Sequence, residues 1–252
     1  MVVLKSPKEI EKIRESNQIV AKILSVLQSE VKPGIDTLYL DNLAEELARE
    51  HNAKPAFKGY RGFPYSLCAS VNEAVVHGFP SKRPLKEGDI LSMDFGVVFG
   101  GYFGDSALTV GVGEVSESAS RLMDVTEQAL YKGIDKAVAN GRLSDISHAV
   151  QKHVEDAGFS IVRIFVGHGI GSNLHEDPQI PNFGKPGMGI HLKPGMTLAV
   201  EPMVNEKGYD VEILEDGWTA VTKDSGLSAH FEHTIAITNN GPAILSARDG
   251  SL

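Results

Sequence analysis

One stretch of this chain occurs twice. Leu85-Lys86-Glu87-Gly88-Asp89-Ile90-Leu91-Ser92-Met93-Asp94 is echoed by Leu192-Lys193-Pro194-Gly195-Met196-Thr197-Leu198-Ala199-Val200-Glu201. The same spacing carries Gly34 onto Gly141, Thr37 onto Ser144 and Gly101-Tyr102 onto Gly208-Tyr209. Helix-cap, turn and acid positions recur in one order, as duplication of a helix-helix-strand unit requires. The expectation is a single domain over residues 1–252, with internal halves of roughly 1–112 and 113–252. If the halves pack about a pseudo-twofold axis, Asp94 and Glu201 are equivalent points and meet at its centre.

The first copy of the repeat leads into a hairpin. Ile90 to Phe95 reads as a buried strand with a carboxylate in its middle, Gly100-Gly101 supplies a two-residue turn, and Tyr102 to Val110 returns. That turn sets Phe99 opposite Tyr102 and Asp94 opposite Ala107, so Asp105 is the diagonal neighbour of Asp94 on one face. Two buried carboxylates repel each other, and leaving them unpaired costs several kcal/mol. A cation has to sit between them. It is either a Lys or Arg side chain or a metal ion, unless a slipped register parts the pair.

Elsewhere the apolar spacing predicts helices. Ser6-Pro7-Lys8-Glu9 starts one with a cap and a proline in the first turn. Asp36 or Thr37 caps a second, Ser116 a third reaching about Asn140, and Ser144 a fourth reaching about Ala157. Ile161 to Val166 reads as one buried strand running into Gly167-His168-Gly169-Ile170-Gly171. Asp177 to Pro194 reads as an ordered surface loop, and Thr197 to Glu201 as a strand. Tyr209 to Leu214, Trp218 to Thr222 and His230 to Thr238 are expected to complete an antiparallel set.

Composition narrows the classes. Charged residues at 23% and hydrophobic residues at 42% are those of a globular chain with a sizeable core, and no apolar run is long enough to cross a bilayer. A net charge of −9 argues against broad nucleic-acid binding. Cys68 is the only cysteine, so no intramolecular disulfide forms, and the Met1 to Ser6 stretch is too short and polar for a signal peptide. A cytoplasmic home is expected.

Five groups then stand out: Asp94, Asp105, His168, Glu201 and Glu232 lie in or at the ends of strands, among apolar or small residues. None has a Lys or Arg beside it in sequence. Singly each has an ordinary structural explanation, Glu232 for instance pairing with Arg163. Together they form a mixed oxygen and nitrogen donor set suited to Mn, Fe, Co or Zn, with no thiolate to indicate a structural zinc knot. Four carboxylates balance two divalent ions, and a metal pair suits hydrolysis, because it acidifies a water and polarises a carbonyl.

Gly167-His168-Gly169-Ile170-Gly171, His175-Glu176-Asp177-Pro178, Glu201-Pro202 and Phe231-Glu232-His233-Thr234, with the Asp94/Asp105 hairpin, resemble the methionine aminopeptidases of type I in their short bacterial form. The resemblance covers nearly the whole chain. It implies the α+β "pita-bread" fold: two related halves, a curved antiparallel sheet covered by helices, and a dinuclear centre. It makes Asp94 a ligand of one ion and His168 and Glu201 ligands of the other, with Asp105 and Glu232 bridging. It also implies hydrogen bonding to the reacting carbonyl by His175, positioning of the scissile amide by His77 and proton shuttling by Glu201. The implied methionine slot is Tyr60, Phe63, Cys68, His77, Leu174, His175 and Trp218, with Phe57 nearby. A weaker carry-over is a Na or K ion near Asn72, Ser228 and the Ala74 carbonyl.

This sequence departs from commoner members at Phe57, Phe63, Leu174 and His230. The implied activity is removal of the initiator methionine before a small second residue. Nascent chains, and the ribosome near its exit, are the implied partners of a monomer that binds neither nucleic acid nor membrane. Two other readings stay open: a proline-specific peptidase of the same fold, which generally carries an added N-terminal domain, and a non-catalytic binding relative, which typically lacks some of the five ligands.

Overall fold

The two acids of the hairpin are placed by its turn. In the structure, a computed structural model that describes residues 2–248, Gly100 and Gly101 take φ of +58° and +82°. Those values belong to a turn whose twist matches its strands. Phe99 therefore pairs with Tyr102 and Asp94 with Ala107, as expected from sequence. The ends of the unit expected over residues 1–252, Met1 and residues 249–252, lie outside the described residues.

Four helices and fifteen strands follow in chain order among the described residues. They begin α1 (Pro7–Glu30), α2 (Thr37–Glu50), β1 (Lys54–Pro55), β2 (Leu67–Val71), β3 (Ala74–Val76), β4 (Ile90–Phe99), β5 (Tyr102–Gly111), α3 (Glu117–Ile134) and α4 (Leu143–Asp156). After these come β6 (Ser160–Ile161), β7 (Val166–Gly169), β8 (Glu176–Pro181), β9 (Thr197–Val200), β10 (Met203–Asn205), β11 (Val211–Ile213), β12 (Ala220–Thr222), β13 (Ser228–His230), β14 (Glu232–Thr238) and β15 (Gly241–Ile244). The main sheet runs β1-β4-β5-β14-β9-β7-β8, with β2 also on β4 and β15 also on β14. All its pairings are antiparallel. Two smaller sheets, β13-β10-β6 and β11-β12-β3, flank it.

The helices close one side of this sheet. Val20, Ile23, Leu24 and Leu27 of α1 and Leu122, Ala129 and Leu130 of α3 are fully buried, and the core joins them to Leu91, Met93 and Phe95 of β4 and Leu198 of β9. Ser6 caps α1 through Glu9, and Asp36 caps α2 by accepting from the Tyr39 N–H at 2.8 Å.

The repeat is visible as matched hydrogen bonds. Gly34 N–H donates to Leu85 C=O at 2.8 Å, and Asn140 N–H to Leu192 C=O at 2.9 Å, so the counterpart of Gly34 is Asn140 and not Gly141, one residue off the sequence spacing. Val112 N–H reaches Asp89 C=O just as Ile237 N–H reaches Met196 C=O, both at 2.8 Å. This makes β14 the counterpart of β5. The returning strand is therefore not the segment at Gly208-Tyr209, as the sequence spacing implied. After β10 the chain detours through β11 and β12 before coming back as β13 and β14.

Five further expectations are corrected. α3 stops at Ile134, because the residues before Asn140 turn to let it bond Leu192. Arg142, not Ser144, occupies the cap of α4; the Ser144 hydroxyl is held by Met188 instead. Ile161 to Val166 is not one strand, since β6 belongs to a small sheet and β7 to the main one, with Ile164 62% exposed between them. The expected loop after Asp177 begins within a strand, β8. The last three segments likewise divide between sheets: β11 and β12 lie in one small sheet, β13 in the other and β14 in the main sheet.

Candidate metal centre

Four neighbouring strands converge their polar side chains. Asp94 comes from β4, Asp105 from β5, Glu232 from the first residue of β14, and Glu201 from the residue just past β9. His168 is on β7, paired across to Ala199 of β9. Glu232 faces Ala107, which itself faces Asp94, so Asp94 and Glu232 lie at one level, with Asp105 two residues along the strand between them. Ligand atoms of Asp105, His168 and Glu232 all lie within 4.8 Å of one another. His168 Nε2 is 3.5 Å from Glu201 Oε1 and 4.0 Å from Asp105 Oδ2. The five groups named from sequence thus share one cavity floor.

No Lys or Arg is ion-paired with any of the four acids among the described residues. Arg163, the alternative partner for Glu232, instead stacks over the Tyr209 ring at 4.0 Å. Asp94 Oδ1, Asp105 Oδ1 and Glu232 Oε1 are buried with no hydrogen-bond partner. Such orphaned acceptors are costly unless a cation meets them. In the protein alone, burial pushes Asp94 up to about 7 and drives Asp105, Glu201 and Glu232 well above the usual carboxylate range, mutual repulsion adding to the last three. The His168 Nδ1 faces the Gly169 carbonyl at 2.9 Å and must donate to it, and burial lowers the ring's pKa, so Nε2 presents a free lone pair to the acids. Orphaned carboxylate oxygens and a neutral imidazole nitrogen form a donor set that fits a divalent transition ion.

Above this floor is a cavity of about 380 Å³. Its walls include every side chain expected for the methionine slot: Tyr60, Phe63, Cys68, His77, Leu174, His175 and Trp218, and also Phe57. Phe63 meets Trp218 edge-on at 5.2 Å between centroids. His175 Nδ1 lies 2.9 Å from the Tyr60 hydroxyl, and its ring centroid is 4.3 Å from that of His168. His77, at φ +59°, packs its edge on Phe165 and Trp218. His230 Nε2 is buried, unpartnered and 3.8 Å from Glu201 Oε2.

Asn72 and Ser228 adjoin through a 2.9 Å bond from Ser228 N–H to the Asn72 carbonyl. The Asn72 side chain is engaged by Asp89 and Ile90, and the Ser228 hydroxyl by Val204 and Asn205.

Several supporting residues were not singled out in sequence. Asn17 of α1 accepts from the Asp105 N–H at 3.2 Å, and its amide donates to Ile13. Its signal was a polar residue inside the apolar stripe of Ile13, Val20 and Leu24. Ser106 and Thr234 donate hydroxyls to the carbonyls of Glu232 and Asp105, tying β5 to β14. Lys5, itself buried, pairs with the partly buried Glu176 at 2.5 Å and anchors the turn that carries Leu174 and His175.

A duplicated sheet that closes unpaired acids and an imidazole beneath an apolar cavity defines a metal-dependent hydrolase of the pita-bread class. Residues 11–239 match metallopeptidase family M24. A methionine aminopeptidase of Clostridium perfringens is 53% identical over 98% of this chain and 99% of its own. The crystal structure of a methionine aminopeptidase from Thermotoga maritima superposes with a TM-score of 0.97 at 48% identity, covering 98% of this chain and 100% of that one. A prolidase from Pyrococcus horikoshii has the same fold at a TM-score of 0.80, but is 22% identical, and the match covers 98% of this chain and 64% of that one. The chain belongs to the methionine aminopeptidases of family M24.

Proposed function

We propose that this protein removes the N-terminal methionine from new polypeptides whose second residue is small. The observation that carries the reading is the set of unpaired buried acids at the foot of an apolar, sulfur- and aromatic-lined cavity. Asp94, Asp105, His168, Glu201 and Glu232 would hold two divalent ions, of Co, Mn, Fe or Zn, since four carboxylates balance their charge. Bound there, such ions supply an acidified water and Lewis-acid polarisation of the peptide carbonyl.

The protein's own groups do the rest. Tyr60, Phe63, Cys68 and Trp218 take the methionine side chain, whose flexible thioether packs well on aromatic edges. With Nδ1 of His175 engaged by Tyr60, Nε2 is the nitrogen left to hydrogen-bond the oxygen that gains charge. Glu201 carries the proton towards the departing amine, and His77 orients the scissile amide from the opposite wall. The second residue must be small, because its side chain passes between these groups. A Na or K ion on the main-chain oxygens of Asn72, Ala74 and Ser228 belongs to the same reading. So do a cytoplasmic monomer and nascent chains met at the ribosome. Among the described residues no helix is long and apolar enough to cross a membrane.

The test is hydrolysis of Met-Ala-Ser after chelation and separate re-addition of Mn, Fe, Co and Zn. Cleavage restored by at least one ion is expected, with little action on Xaa-Pro peptides. Preference for Xaa-Pro would transfer the protein to the prolidase side of the family. A folded protein inert with every ion would make it a binding relative.

A further inference from the structure

One charged side chain at the cavity has no role in the mechanism above. Among the described residues that line the cavity, Arg61 is the only Lys or Arg. It is exposed, and no carboxylate among the described residues pairs with it; its ring contact is Tyr60, whose centroid lies 5.4 Å from the guanidinium carbon. Its backbone is left-handed, at φ +49° and ψ +20°. A long side chain in that region is uncommon and carries a cost that Gly or Asn would avoid. The neighbours Gly59 and Gly62 do meet such angles without a side chain. A strained, unpaired cation at the rim of an acid-floored cavity is therefore an outlier with something to contact.

The geometry points to the third residue of the substrate. Methionine enters the wall built by Tyr60 and Phe63, the residues that bracket Arg61 in sequence. Along an extended peptide, side chains alternate between faces, and residues one and three share a face about 7 Å apart. The second residue thus faces away from Arg61, and the third is the first to emerge beside it. We propose that Arg61 is a specificity residue that favours Asp or Glu at the third position and disfavours Lys or Arg. Ile164 and Gln179, which also line the cavity, are uncharged and do not compete for that side chain.

This inference rests on the methionine aminopeptidase reading, and the experiment separates the two. It compares kcat/KM on Met-Ala-Glu-Ser-Gly, Met-Ala-Lys-Ser-Gly and Met-Ala-Ser-Glu-Gly, using metal-loaded wild type, Arg61→Asn and Arg61→Glu. Asn accepts the left-handed backbone, so the loop is preserved while the charge is removed. Wild type is expected to prefer Glu over Lys at position three by about fivefold at low salt, and less at about 0.5 M salt. The preference should fall to about one in Arg61→Asn and invert in Arg61→Glu. It should also weaken when Glu moves to position four. A wild-type ratio near one, or a ratio that survives in Arg61→Asn, overturns the inference while cleavage itself upholds the activity. Failure of wild type to cleave any of the three overturns both.

Discussion

Asp94 shows how much a single side chain depends on what shares its cavity. Without an ion, burial holds its pKa at about 7 in the folded protein, against an ordinary value of 3.8. An acid whose pKa is raised by folding gives its full stability below the unfolded value and loses it as pH rises through the folded value. The chelated protein should therefore be destabilised by Asp94 progressively between about pH 4 and 7. The buried histidines have lowered pKa values and act in the opposite sense, so the comparison must be with Asp94→Asn, which keeps them. The melting temperature of the chelated variant should rise above that of chelated wild type as pH increases across that window, the two converging near pH 4. A constant gap would count against the buried carboxylate. Lys5 is a second single-residue case. Lys5→Met leaves the partly buried Glu176 without its cation and should cost about 1–3 kcal/mol in urea unfolding, with the double variant Lys5→Met/Glu176→Gln recovering most of it. Asp94 and Asp105 were readable because hairpin register is local. The Lys5–Glu176 pair joins residues 171 apart, and no local pattern announces it.

At the scale of elements, the site depends on α1 lying close against β5. Gly104, next to Asp105, permits this: a Cβ there would come within 2.6 Å of the Asn17 nitrogen and the Ser16 carbonyl carbon. Both are helix backbone and cannot turn aside. Gly104→Ala should destabilise the fold by about 1–3 kcal/mol and, by lifting Asn17 from Asp105, weaken metal uptake as well. Unaltered stability and metal affinity would show the helix to be a passive cover. Helix starts and the β4–β5 turn were legible because caps and glycines act within a few residues. The ends of α3 and the break between β6 and β7 were not. Lys136 to Ala139 suit a helix, but Asn140 is claimed by Leu192, and an apolar run cannot say that it serves two sheets.

For the whole molecule, duplication explains why so many acids meet. Each half contributes a strand pair, β4–β5 and β9–β14, and the seam between β5 and β14 brings Glu232 opposite Ala107. The repeated segment was legible, and with it the equivalence of Asp94 and Glu201. The detour through β11 and β12 was not, because an insertion destroys constant spacing without disturbing the hydrogen bonds that define the repeat. Everything here rests on acids from both halves being tolerated inside because divalent ions neutralise them together. Calorimetric titration of the chelated protein with Mn, alongside Asp105→Asn, is the sharpest check. Wild type should take up two ions per chain, and the variant should lose paired uptake. No uptake by folded wild type, or the same stoichiometry and affinity in Asp105→Asn, would refute the neutralisation of these acids by metal.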